Sequence, residues 1–98
     1  MEFQKLDKLA RELNFKKYDS RRHGELSATP PVDGINYVNS NGYVLTLDKK
    51  DIMKDNKKEI NLLGHVWLCK KGKGLVTCLS HMNRDYEQLK EELEKCLK

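Results

Sequence analysis

The chain has 98 residues, 38% hydrophobic and 35% charged, with a formal net charge of +4 at pH 7. A chain of that length builds one core and is too short to divide into two, and no apolar run approaches the ~18 residues needed to cross a bilayer. The charged opening MEFQKLDKLARELNF is unlike a secretory signal, and three cysteines in such a chain fit reduced thiols in a cytoplasm better than a disulfide framework.

In chain order, Phe3, Leu6, Leu9, Ala10 and Leu13 recur at helical spacing, with Asp7–Arg11 and Glu12–Lys16 set as favourable i,i+4 pairs. The spacing predicts an amphipathic helix over about residues 2 to 16. Residues 19 to 27 are read as a short edge strand, and the Pro30-Pro31 and Asp33-Gly34 pairs within HGELSATPPVDG mark a loop. INYVNSNGYVLTLD reads as a hairpin, because Asn41-Gly42 accepts the two positive φ angles of a type I′ turn. That turn sets Val38 opposite Leu45, so that Val38, Tyr43, Leu45 and Leu47 face the core while Tyr37 and Thr46 look outward.

DKKDIMKDNKKE, residues 48 to 59, is read as a charged connector or one helical turn capped by Asp48. A second hairpin follows, with Ile60 to Lys70 leading up, a turn at Gly72-Lys73, and Gly74 to Ser80 returning. Tyr86, Leu89, Leu93, Cys96 and Leu97 repeat the helical pattern behind Asn83 as N-cap. The expectation is an α+β domain spanning residues 1–98, in which an antiparallel sheet of four to five strands, from two hairpins, is packed by an N-terminal and a C-terminal helix.

The stretch HVWLCKKGKGLVTCLSH holds two histidines and two cysteines, a set that invites a metal reading. Residues four apart in a strand sit about 13 Å apart, whereas ligands of one zinc lie within about 4 Å of each other. His65 and Cys69 therefore cannot share a metal, and Trp67, Cys69 and Cys78 read as packing residues. Cys78 and His81, three apart at a strand end, lack a carboxylate partner or a turn that would bring them together as nucleophile and base. The expectation is no metal, no cofactor and no catalysis.

Basic residues offer more. The tip Lys70-Lys71-Gly72-Lys73-Gly74 combines lysines with glycines that let backbone amides approach an anion. Lys16, Lys17, Arg21 and Arg22 form a second cluster with Tyr18 and His23 interleaved, the mixture that backbone contact and base stacking require. Lys49, Lys50, Lys54, Lys57 and Lys58 form a third, diluted by Asp48, Asp51 and Asp55 and read as a solvated loop. The sequence thus points to a non-enzymatic, cytoplasmic binding module, without a membrane partner. It would contact nucleic acid, or the nucleic-acid-handling surface of another protein, through Lys70, Lys71, Lys73 and the Lys16–Arg22 cluster. The alternative is a small inhibitor or adaptor, of the kind a mobile element uses to block a host enzyme, docking through an exposed sheet edge or outward residues such as Tyr37.

Overall fold

A computed structural model of the chain describes every residue except Gly24, with Arg22 and His23 described as backbone alone. The elements run α1 (Phe3–Glu12), β1 (Lys16–Lys17), α2 (Ser20–His23), β2 (Gly34–Val38), β3 (Tyr43–Lys54), β4 (Lys57–Lys70), β5 (Gly74–Ser80) and α3 (Tyr86–Cys96). The five strands form one sheet in the order β1-β2-β3-β4-β5, every pair antiparallel. This is the expected α+β architecture, with α1 and α3 on one face of a meander whose strands each neighbour the next in sequence.

The apolar stripe of α1 buries Leu6, Leu9 and Ala10, but the helix stops at Glu12, short of the predicted residue 16. Asn14 adopts a left-handed φ of 68°. The Phe15 amide then donates to the Ala10 carbonyl at 3.0 Å and the Asn14 amide to that of Arg11 at 3.0 Å. This is a Schellman termination, and it turns Phe15 back into the core while releasing Lys16 and Lys17 to form β1. The edge strand thus precedes residues 19 to 27, where Ser20–His23 is instead a single helical turn. At the other end Asp85, not Asn83, caps α3. Its carboxylate accepts from the Gln88 amide at 2.8 Å, and the Gln88 side chain accepts from the Asp85 amide at 3.1 Å, a reciprocal box that satisfies two helix-end donors.

The first hairpin is one residue out of the predicted register. Val38 pairs with Val44 and Tyr37 with Leu45, because the connection is three residues long, with Gly42 at φ 85°. The Asn39 carboxamide closes it, accepting from the amides of Asn41 and Tyr43, each at 3.0 Å. A slip of one residue exchanges the faces of β2. Tyr37 therefore joins the core, fully buried, with its hydroxyl donating to Asp7 of α1 at 2.6 Å, and Val38 moves to the opposite face. Tyr43, Leu45 and Leu47 face the helices as expected, together with Val66 and Leu68 of β4.

The face away from the helices is also closed, since Val44, Thr46 and Cys69 on it are buried. Described residues of the segment between β1 and β2 are partly buried as well. There Leu26, Ala28 and Val32 are half-buried and the Ser27 hydroxyl donates to the Gly42 carbonyl at 3.3 Å. Thr46 thus lies on the predicted side of the sheet but not in solvent, and its hydroxyl donates to Asn36 at 2.7 Å.

The largest departure is at residues 48 to 59. They form neither connector nor helix but the outer halves of β3 and β4, joined by Asp55 and Asn56 with φ angles of 52° and 61°. Two consecutive positive φ angles make the twisted two-residue turn that suits a hairpin, and Asp and Asn tolerate them better than other non-glycine residues. β2 pairs with β3 only as far as Asp48, and β5 with β4 only as far as His65. Beyond these points β3 and β4 pair with each other alone, so residues 49–62 form a two-stranded arm projecting from the sheet.

Candidate functional site

Residues directly opposite in an antiparallel pair point to the same side. On one side of the arm lie the pairs Lys49–Leu62, Asp51–Ile60 and Met53–Lys58; on the other lie Lys50–Asn61, Ile52–Glu59 and Lys54–Lys57. Leu62 packs against the core beneath α1 and α3, which identifies the first side as the one facing the helical layer.

Charge is divided between the two sides. On the helix side the cations are neutralised: Lys49 reaches Asp51 at 2.8 Å and Asp33 at 3.5 Å, and Lys58 reaches Asp51 at 3.2 Å. The Lys49 hydrogen bond holds the Asp51 carboxyl below the usual range. On the opposite side Lys50, Lys54 and Lys57 are exposed and have no ion-pair partner among the described residues, and Glu59 is the one acidic side chain in that set. Counting charges along the sequence concealed this, because the five lysines there are nearly balanced by Asp48, Asp51, Asp55 and Glu59. The legible signal was Asp55-Asn56 itself, a pair suited to a two-residue turn and flanked by runs containing Ile52 and Ile60.

The β4–β5 tip lies at the opposite end of the sheet from the arm, where the Lys71 amide donates to the Gly42 carbonyl at 2.9 Å and joins two hairpin ends. Its turn is three residues long, with Gly72 and Gly74 at φ 83° and 79°, and Cys69 lies opposite Leu75, with a bulge between that pair and Leu68–Thr77. The three tip lysines differ in their surroundings. Lys70 is half-buried, with its ammonium 4.8 Å from the Tyr43 ring centroid, whereas Lys71 and Lys73 are exposed.

The Lys16–Arg22 cluster is also divided. Lys17 lies over the Phe3 ring at 5.8 Å, and Arg21 sits 3.6 Å from Asp19. Lys16 is exposed on β1, Tyr18 is half-buried with its amide donating to the Asn36 carbonyl at 2.8 Å, and the Arg22 side chain lies outside the described residues.

The cysteines and histidines do not converge. Cys69 and Cys78 are free thiols, and burial pushes both up, away from the reactive thiolate. His65 stands 4.0 Å from Asp48 on the face carrying Trp67, whose indole N–H is buried without a partner among the described residues. His81 is buried elsewhere, with Nδ1 3.1 Å from the Met1 ammonium and Nε2 2.8 Å from the Leu63 carbonyl. Both ring nitrogens are therefore engaged. Among the described residues no group of three or more His, Cys, Asp or Glu side chains could hold a metal ion, and no helix is long and apolar enough to cross a membrane.

Comparison with protein-family models, curated proteins and solved structures found no match to this chain.

Proposed function

We propose that this domain is a non-enzymatic nucleic-acid-binding module whose principal contact is the β3–β4 arm. The observation that carries the reading is the row of unpaired Lys50, Lys54 and Lys57 on one side of a ribbon that leaves the sheet. An unpaired surface lysine gives up little on meeting a phosphate, whereas Lys49 and Lys58 would first have to leave Asp51. The expected contact therefore moves from the β4–β5 tip and the Lys16–Arg22 cluster to the arm, with Lys16, Lys71 and Lys73 as secondary cations at the far end of the sheet.

The test is a salt titration of the parent and a Lys50→Ser, Lys54→Ser, Lys57→Ser variant against duplex and single-stranded nucleic acid. Three phosphate contacts to a duplex predict that the slope of log affinity against log salt flattens by about 2.7, at roughly 0.9 per contact. A Lys71→Ser, Lys73→Ser variant should change it less. Parent binding weaker than about 10⁻⁴ M at physiological salt, below ordinary non-specific affinity, overturns the reading.

A protein-docking role through the sheet edge has one observation in its favour. β5 is the outermost strand, and Leu75 and Val76 on it are exposed, the kind of edge to which another strand can be added. Tyr37 has no part in that reading because it is buried. A stoichiometric protein that copurifies after nuclease treatment and is lost on Val76→Lys would favour docking.

A further inference from the structure

We infer that the arm enters the major groove of B-form duplex DNA with the side carrying Lys50, Ile52, Lys54, Lys57, Glu59 and Asn61 toward the base edges. The inference rests on the nucleic-acid reading above and narrows it to one ligand and one groove.

The first argument is shape. Beyond the pairs ending at Asp48 and His65 the arm is two strands wide, with neither β2 nor β5 beside it. A groove about 12 Å wide and 8.5 Å deep admits a two-stranded ribbon. From the Lys50–Asn61 pair to the Lys54–Lys57 pair is four residues along β3, about 13 Å at 3.3 Å per residue. That length of B-form duplex carries about eight phosphate charges. The major groove of A-form RNA is too deep and narrow for side chains to read, so the same ribbon is excluded from it.

The second argument is chemistry. A surface that only tracked phosphates would gain nothing from Glu59, which lies opposite Ile52 in the middle of the row. On the floor of the major groove a carboxylate accepts from the cytosine N4 amino group, asparagine pairs with adenine, lysine meets guanine O6 and N7, and an apolar side chain meets the thymine methyl. Glu59, Asn61, the three lysines and Ile52 supply all four kinds of contact from one side. The neutralised, more apolar side with Met53 and Ile60 would lie away from the bases.

The experiment uses the full chain and matched mixed-sequence duplexes of DNA and RNA, with dimethyl sulfate as a probe of guanine N7 in the major groove and adenine N3 in the minor groove. The expected results are a preference for duplex DNA of at least about tenfold, protection of guanine N7 but not adenine N3, and loss of that protection in the Lys50→Ser, Lys54→Ser, Lys57→Ser variant. Glu59→Gln should weaken binding to G·C-containing duplexes. If Glu59→Gln instead tightens binding to all polyanions alike, the arm tracks phosphates and the groove inference is overturned while the nucleic-acid reading stands. Equal affinity for RNA and DNA duplexes, or protection confined to adenine N3, has the same consequence. Absence of binding to any nucleic acid overturns both. Circular dichroism of each variant confirms that the sheet is intact, and Lys16→Ser, Lys71→Ser, Lys73→Ser is the charge-matched control.

Discussion

Tyr37 and His81 illustrate how single side chains tie the helical layer to the sheet. Burial, and then the hydrogen bond to Asp7, push the Tyr37 hydroxyl up, so it remains a donor across the accessible pH range. Burial also pushes the Asp7 carboxyl up, but the hydrogen bonds from Tyr37 and Arg11 outweigh it and hold the group below the usual carboxylate range. Tyr37→Phe removes a bond to a charged acceptor, and we expect it to cost about 1.5–3 kcal/mol in urea unfolding. His81 adds a pH dependence. Burial pushes its imidazole down, against the hydrogen bond to Leu63 and with the Met1 ammonium adding to the effect. The unfolded chain, with an imidazole pKa of about 6.5, then binds the proton more readily than the folded one. The contribution is complete above that value and is lost as pH falls through it toward the lower folded pKa. Denaturant midpoints measured from pH 7.5 to 5 should therefore fall, and His81→Gln should flatten the decline.

At the scale of elements, the arm is separable from the core. Residues 50 to 61 are all exposed and none belongs to the buried cluster. We expect that replacing residues 52–59 by a two-residue Asn-Gly turn, which leaves the Asp51–Ile60 pair to flank it, shortens the ribbon but changes unfolding free energy by less than about 1 kcal/mol, while removing the nucleic-acid contact. A truncated protein that fails to fold would mean that the arm holds the sheet together. The helix ends carry the complementary lesson. Apolar spacing predicted the buried faces of α1 and α3, as Leu6, Leu9, Leu89 and Leu93 attest. Periodicity does not register where a chain turns, however. The left-handed Asn14 and the Asp85–Gln88 box set the ends through hydrogen bonds that compete with continuing the helix.

Across the whole molecule, charge is distributed by face and by end. α3 presents Glu87, Glu91 and Glu94 to solvent, with Glu91 paired to Lys95, while the unpaired cations of the arm project from the sheet. A polyanion should therefore approach from the arm and be turned away from α3, an orientation that a net charge of +4 does not specify. Trp67, Cys69 and Cys78 share the sheet face away from the helices, as the Trp67–Cys78 pairing requires, so His65, Cys69, Cys78 and His81 are spread along the β4–β5 hairpin and the segment just after it.

The sequence by itself determined the α+β class, the two long helices and their buried stripes, and the strands on either side of Gly42 and Gly72, because these follow from local period and from glycines that permit a turn. Only the tertiary structure decided that Tyr37 is core and Val38 is not, since a three-residue connection and a two-residue one differ by a single step that exchanges every face. It alone decided that residues 48 to 59 are a ribbon. Solvent-exposed strands paired only with each other carry no apolar alternation to read, and what distinguishes Lys50, Lys54 and Lys57 from Lys49 and Lys58 is the side of the ribbon on which each lies.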